Sequence, residues 1–109
     1  MDKYLLIESR DPFVESCDSS MLYDLALGQA HEGREVTLFL IQNGVLPTRN
    51  GSRYASRFAD LARNGVTVLA DDFSLRERAV KHLTDGVTPT SVDALVTLAL
   101  TDGTKTIWH

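Results

Sequence analysis

The chain has 109 residues, 43% hydrophobic and 24% charged, with eleven Lys and Arg against fifteen Asp and Glu for a formal net charge of −4. That length suits one compact domain with a core of its own, and the acidic balance argues against a general nucleic-acid role. Its apolar runs fall far short of the roughly twenty residues of a membrane helix, so no membrane partner is expected; no signal-peptide pattern opens the sequence, and a single cysteine excludes an internal disulfide and suits a reducing, cytoplasmic setting.

Residues 3–8 are almost continuously apolar, as a strand covered on both faces should be, and stop abruptly in Glu8-Ser9-Arg10-Asp11. A loop over 9–18 holds Pro12. Ser19 or Ser20 is then placed to cap a helix running to about His31, with Leu22, Leu25 and Ala26 as its buried stripe and Met21 with Leu25 as an i, i+4 pair. Gly33 supplies a left-handed stop. The second strand, 35–41, runs into Asn43-Gly44 and a loop through Pro47 and Gly51. A second helix, about 52–63, buries Tyr54, Phe58 and Leu61; Arg53 and Arg57 share its other face, with Arg49 just upstream, and Asn64-Gly65 ends it. The third strand, 66–70, stops at Asp71-Asp72. Ser74 with Glu77 three residues on has the form of a capping box, which starts a helix at Leu75 and ends it near Leu83. Residues 84–89, centred on Val87, hold a very short strand or only a turn. A second box, Thr90-Ser91-Val92-Asp93, opens a helix whose Leu95, Leu98 and Ala99 face inward; Asp102-Gly103 closes it, and 104–108 form a last strand.

Strands of the buried type alternating with capped helices need crossover connections, so the pattern predicts a three-layer α/β/α domain over 1–109 with a mostly parallel sheet of four to five strands. Ligands of such sheets gather at the carboxyl ends of the strands. That rim makes Glu8, Ser9, Arg10, Asp11, Asn43, Asp71, Asp72 and His109 the candidate ligand-binding residues. Neither the P-loop spacing nor the dinucleotide fingerprint follows the first strand, so nucleotide binding is not expected, and no cofactor is. His31, His82 and His109 lack the paired spacing of a zinc site; the first two fall in the last turns of helices. Asp71 and Asp72 could bind a cation or act as a base, but one capping the turn and the other solvated is the reading preferred. Cys17 precedes a helix amino terminus, which lowers a thiol pKa, while its neighbours Glu15 and Asp18 raise it, so an ordinary loop thiol is expected. Arg49, Arg53 and Arg57 fit an anion-binding or subunit-contact stripe and equally a solvated helix face.

The order and spacing of these landmarks resemble the DsrE family, small α/β proteins that include the TusD and DsrE subunits of sulfur-relay complexes. The resemblance spans nearly the whole chain: a strand, a loop at Pro12, an Ala- and Leu-rich helix, Gly33-Arg34-Glu35-Val36 with Phe39, Gly44-Val45, and Leu75-Arg76-Glu77-Arg78-Ala79-Val80. It implies a five-stranded sheet of order 4-3-2-1-5 and assembly into trimers or hexamers, with copies of itself and other DsrE-like or sulfur-relay proteins as partners. In that order a crevice between the first and last strands would be lined by Glu8, Ser9, Arg10 and Asp11 with Trp108 and His109 opposite, and Arg10 is expected to pair with Glu8 or Asp11. Sulfur-relay members carry a persulfide-accepting cysteine just after the third strand. Alignment through Arg78-Ala79-Val80 puts Asp71, or Asp72, at that position, and a carboxylate cannot replace the nucleophilic thiolate a relay needs. The reading that follows is a non-catalytic, oligomeric binding or assembly protein linked to sulfur metabolism. Its rivals are a sulfurtransferase using Cys17 as persulfide carrier and a small anion- or metabolite-binding protein using Arg10 and the rim carboxylates.

Overall fold

The computed structural model describes residues 2–13 and 20–109. Five strands, β1 (Lys3–Glu8), β2 (Glu35–Leu40), β3 (Thr67–Asp71), β4 (Val87–Thr90) and β5 (Thr104–Trp108), form one sheet in the order β4-β3-β2-β1-β5, with every pairing parallel. Parallel neighbours cannot be joined by hairpins. Helices α1 (Met21–His31), α2 (Ala55–Arg63), α3 (Asp72–Glu77) and α4 (Val92–Ala99) lie in the connections, and a 3-10 segment, Gln42–Thr48, follows β2. The predicted fold class and strand order are those observed. Among the described residues no helix is long and apolar enough to cross a membrane.

Side chains alternate across the sheet with a period of two. Leu6, Leu38, Val68 and Val87 face Leu22, Tyr23 and Ala26 of α1 and Phe58 and Leu61 of α2 in the larger core. Each such buried side chain contributes about 1.5–3 kcal/mol relative to exposure. Leu5, Ile7, Phe39 and Ile41 point the other way and meet Ala94, Leu95 and Leu98 of α4. That second face is thinly covered: α4 has no fully buried residue, and Val92, Val96 and Leu100 are exposed.

Several local expectations give way to tertiary structure. In α1 the inner positions are Leu22, Tyr23 and Ala26; Leu25 is half-buried and Met21 exposed. Ser20 stands at the cap without a side-chain hydrogen bond, and Ser19 lies outside the described residues. The start of α2 is delayed to Ala55, because Ser52 Oγ bonds the Pro47 carbonyl and the Tyr54 amide in a preceding turn, which leaves Tyr54 half-buried. In α4, Ala94 takes the inward place expected of Ala99, which is exposed.

The largest correction concerns α3. Its cap is Asp71, whose Oδ2 accepts from the Ser74 amide at 3.0 Å, so the helix begins three residues before Leu75 and Ser74 sits buried inside it. It stops at Glu77 and not near Leu83: Ala79 turns left-handed at φ 55°, and the Val80 amide closes back on the Leu75 carbonyl at 2.9 Å. His82 therefore lies in the connection to β4, not in a helix, whereas His31 does end α1. The segment around Val87 is a true strand paired with β3.

Candidate functional site

The rim at the carboxyl ends of the strands divides by register into two environments. Glu8 pairs with Leu40, and Leu40 with Ala70; Asp71, one residue further, faces the opposite side of the sheet. Trp108 pairs with Ile7 and shares the α4 face, while His109 returns to the face of Glu8. The crevice expected to hold Trp108 and His109 opposite Glu8 thus divides: His109 meets Glu8, and Trp108 lies on the α4 face.

On the α1 and α2 face, Glu8 is fully buried and its Oε1 and Oε2 lie 3.0 and 3.1 Å from His109 Nδ1. The two contacts to one carboxylate hold the imidazole in one orientation. The amide and hydroxyl of Ser9 both donate to the His109 carbonyl, at 3.3 and 3.1 Å, and the His109 amide donates to Ile7, extending the β1–β5 pairing beyond β5. Ser9 Oγ is therefore engaged with backbone and not with the imidazole. Asp11 is buried, and its Oδ1 accepts from the Phe13 amide at 2.9 Å in a side-chain turn across Pro12. The two carboxylates expected to pair with the Arg10 side chain meet other donors: Glu8 meets His109 and the Arg10 amide, and Asp11 the Phe13 amide. Below them Tyr23 is fully buried, its hydroxyl without a partner among the described residues. Burial, and then the charge of Glu8, push its phenol above the ordinary 10.0.

On the α4 face, a cavity of about 470 Å³ opens beside Asp71, Ser74, Gln42, Phe73 and Trp108. Ser74 Oγ donates to Asp71 Oδ2 at 2.6 Å and accepts from the Gln42 amide at 2.8 Å. One hydroxyl thus ties the end of β3 to the end of β2 and holds Gln42 in its left-handed conformation, φ 50°. Asp71 Oδ1 is buried without a partner among the described residues. Asn43 Oδ1 accepts from Arg78 Nε at 3.0 Å, and Arg78 Nη1 reaches the Ser74 carbonyl near the end of α3. Asp72 turns away and meets Arg76 at 3.8 Å, an exposed pair of small energetic value. So one of the paired carboxylates caps and the other is solvated. The position can accept hydrogen bonds and start a helix; it offers no nucleophilic sulfur.

Among the described residues no three His, Cys, Asp or Glu side chains converge as metal ligands. Cys17, with Glu15 and Asp18, lies outside those residues. The arginines do not form one stripe: Arg57 pairs with Asp24 at 2.6 Å, Arg53 stacks over Phe13, and Arg49 Nε bonds the Leu46 carbonyl. Sequence reasoning missed Ser74 as the hub of the second site, and with it Gln42 and Arg78. The spacing of Asp71 and Ser74 is itself a cap signal; nothing local marks Gln42.

The family model described as "DsrH like protein" matches residues 18–104. No curated protein matches the sequence closely enough to count as a relative. Among solved structures, the YchN protein of E. coli superposes with a TM-score of 0.88 at 18% identity over the whole of both chains. A protein of unknown function from Methanobacterium thermoautotrophicum gives 0.75 at 19%, again over both whole chains. A conserved protein of unknown function from Bacteroides thetaiotaomicron gives 0.81 at 19%, over 99% of this chain and 95% of the other. These similarities show a shared fold.

Proposed function

The chain belongs to the DsrH-like family, and from that premise we propose that it is an oligomeric binding or assembly subunit of sulfur metabolism that carries no sulfur itself. Family membership supports a role related to sulfur relay, with other proteins as partners: copies of this chain and related relay subunits. The whole of 1–109 is read as one domain working in the cytoplasm.

The observation that carries this reading is Asp71. Asp71, or Asp72 beside it, falls where sulfur-relay relatives are expected to keep a persulfide cysteine, and Asp71 is a buried carboxylate whose Oδ2 caps α3 and organises Ser74 and Gln42. A carboxylate cannot form the sulfur–sulfur bond of a persulfide. Asp71 Oδ2 and Ser74 are spent on structure, and the exposed apolar side chains Val92 and Val96 of α4 and Leu100 just beyond it, with Phe73 and Trp108 beside the cavity, suit burial against another subunit.

Light scattering at micromolar concentration tests the assembly. The expected mass is three or six times the 12.1 kDa of the chain, and Val96→Glu, at an exposed position, lowers it without unfolding the protein. A wild type found only as the single chain contradicts the reading.

A further inference from the structure

Positive charge is unevenly placed in this acidic chain. Residues 36–59 contain Arg49, Arg53 and Arg57 and no Asp or Glu; residues 78–84 contain Arg78, Lys81 and His82 and again no acid. The fold joins the two segments. Arg49 and Leu83 form an isolated antiparallel bridge, the Asn50 amide donates to the His82 carbonyl at 2.8 Å, and the Thr84 amide to Thr48 at 2.7 Å. Two clefts result, of about 650 and 430 Å³, which share Arg49 and Asn50. Arg53 lines the first, Lys81 and His82 the second.

Not all of these cations are available. Arg57 is answered by Asp24, and Arg78 by Asn43 and the Ser74 carbonyl. Arg49, Arg53 and Lys81 have no carboxylate partner among the described residues. Two are nevertheless held in place. The Arg53 guanidinium lies 4.9 Å from the centre of the Phe13 ring and 5.9 Å from that of Tyr54, and Arg49 is tied through Nε to the Leu46 carbonyl, which leaves its terminal nitrogens unused by that bond. A stacked, planar guanidinium loses little further freedom on binding and presents paired N–H donors to an oxyanion. Lining adjoining clefts with three cations that no carboxylate answers among the described residues is unfavourable in the free protein and favourable once an anion sits between them.

We propose that the two clefts form one binding site for a multiply charged phosphoanion, with Arg49 and Arg53 its principal ligands and Lys81 the third. Arginine forks match phosphate oxygens two at a time, which favours a phosphoanion over a single carboxylate. Gly51, left-handed at φ 81° with open space where a Cβ would be, leaves the backbone between the two arginines open to close approach. Clefts of this size hold a compact ligand better than an extended acidic segment. The site shares no residue with the Asp71 network and stands independently of the function proposed above.

Titration calorimetry with inorganic tripolyphosphate at fixed ionic strength tests it. Saturable binding of one anion per chain is expected. Arg53→Gln and Lys81→Gln, both at exposed positions, each weaken it roughly tenfold, the usual scale of one charged hydrogen bond. Arg63→Gln, at the far end of α2 and part of an exposed pair with Asp60, leaves the affinity unchanged. Comparison of pyrophosphate with ADP then identifies the source: tighter ADP binding assigns a phosphorylated metabolite, and equal or weaker binding an inorganic phosphate. The proposal is overturned by absence of saturable binding, by an equal loss in Arg63→Gln, or by an oligoglutamate peptide that binds through Arg53 while tripolyphosphate does not.

Discussion

Gly44→Ala lowers the stability of the protein by at least about 3 kcal/mol, the range of severe overpacking combined with lost backbone bonds. Gly44 is buried in the 3-10 segment directly against the end of β1. A Cβ there would overlap the Glu8 carbonyl oxygen and stand 2.9 Å from the carbonyl carbon, with Ser9 Cα next at 3.4 Å. These are backbone atoms and cannot swing aside. The same Glu8 carbonyl accepts from the Ile41 amide at 3.0 Å, so the displacement needed to admit a methyl group breaks the last β1–β2 bond and moves Glu8 away from His109. Gly28→Ala is the contrasting substitution. It lies inside α1 with nothing within 4 Å of the new methyl, and it stabilises by about 0.5–1 kcal/mol because alanine loses less conformational freedom in a helix. Urea unfolding of the two variants separates them; equal effects would mean that the contact between Gly44 and β1 is not as described.

Asp71→Ala costs about 2–3 kcal/mol, and Asp71→Asn costs less, because it keeps the cap. Alanine removes both bonds to Oδ2, leaving the Ser74 amide without its cap and the Ser74 hydroxyl without its acceptor, so that the tie to Gln42 loosens as well. Loss of a cap is worth about 0.5–2 kcal/mol, and a charged hydrogen bond about 1.5–3; the two overlap at this residue and do not simply add. Asparagine keeps an oxygen for the cap but places an NH2 group where Oδ1 lies buried without a partner among the described residues, so it recovers the cap at the cost of unsatisfied donors. If both variants lost the same stability, the charge of Asp71 and not its cap would be what matters, and the structural role assigned to it would fail.

Most of the sheet could be read from the sequence, because buried parallel strands and the polar clusters that end them are set by short-range patterning. The chain order placed Glu8, Ser9, Arg10, Asp11, Asn43, Asp71, Asp72 and His109 at or just beyond the carboxyl ends of the strands, and the strand bounds agree. Which of them meet was not legible, since that depends on strand register and on the side-chain period of two. Register sends Glu8 and His109 to one face and Asp71 with Trp108 to the other. The start of α3 was misread because Ser74 fits two cap patterns equally well, as first residue with Glu77 and as last with Asp71. Tertiary structure chose the second: the buried Ser74 hydroxyl is needed by Gln42, and the chain turns at Ala79 so that Val80 reaches the core. The pairing of the arginine-bearing loop with residues 82–84 joins segments distant in sequence, Arg49 with Leu83, and leaves no local trace.

Whether this DsrH-like chain carries sulfur is read most directly by intact mass spectrometry after incubation with one equivalent of a sulfane-sulfur donor and excess glutathione. Glutathione outcompetes an ordinary thiol, so only a cysteine built for relay retains the sulfur. The wild type is expected to return at its unmodified mass, indistinguishable from Cys17→Ser. A wild-type mass raised by one sulfur atom, stable to desalting and abolished by Cys17→Ser, would contradict the proposed function and make the chain a persulfide carrier.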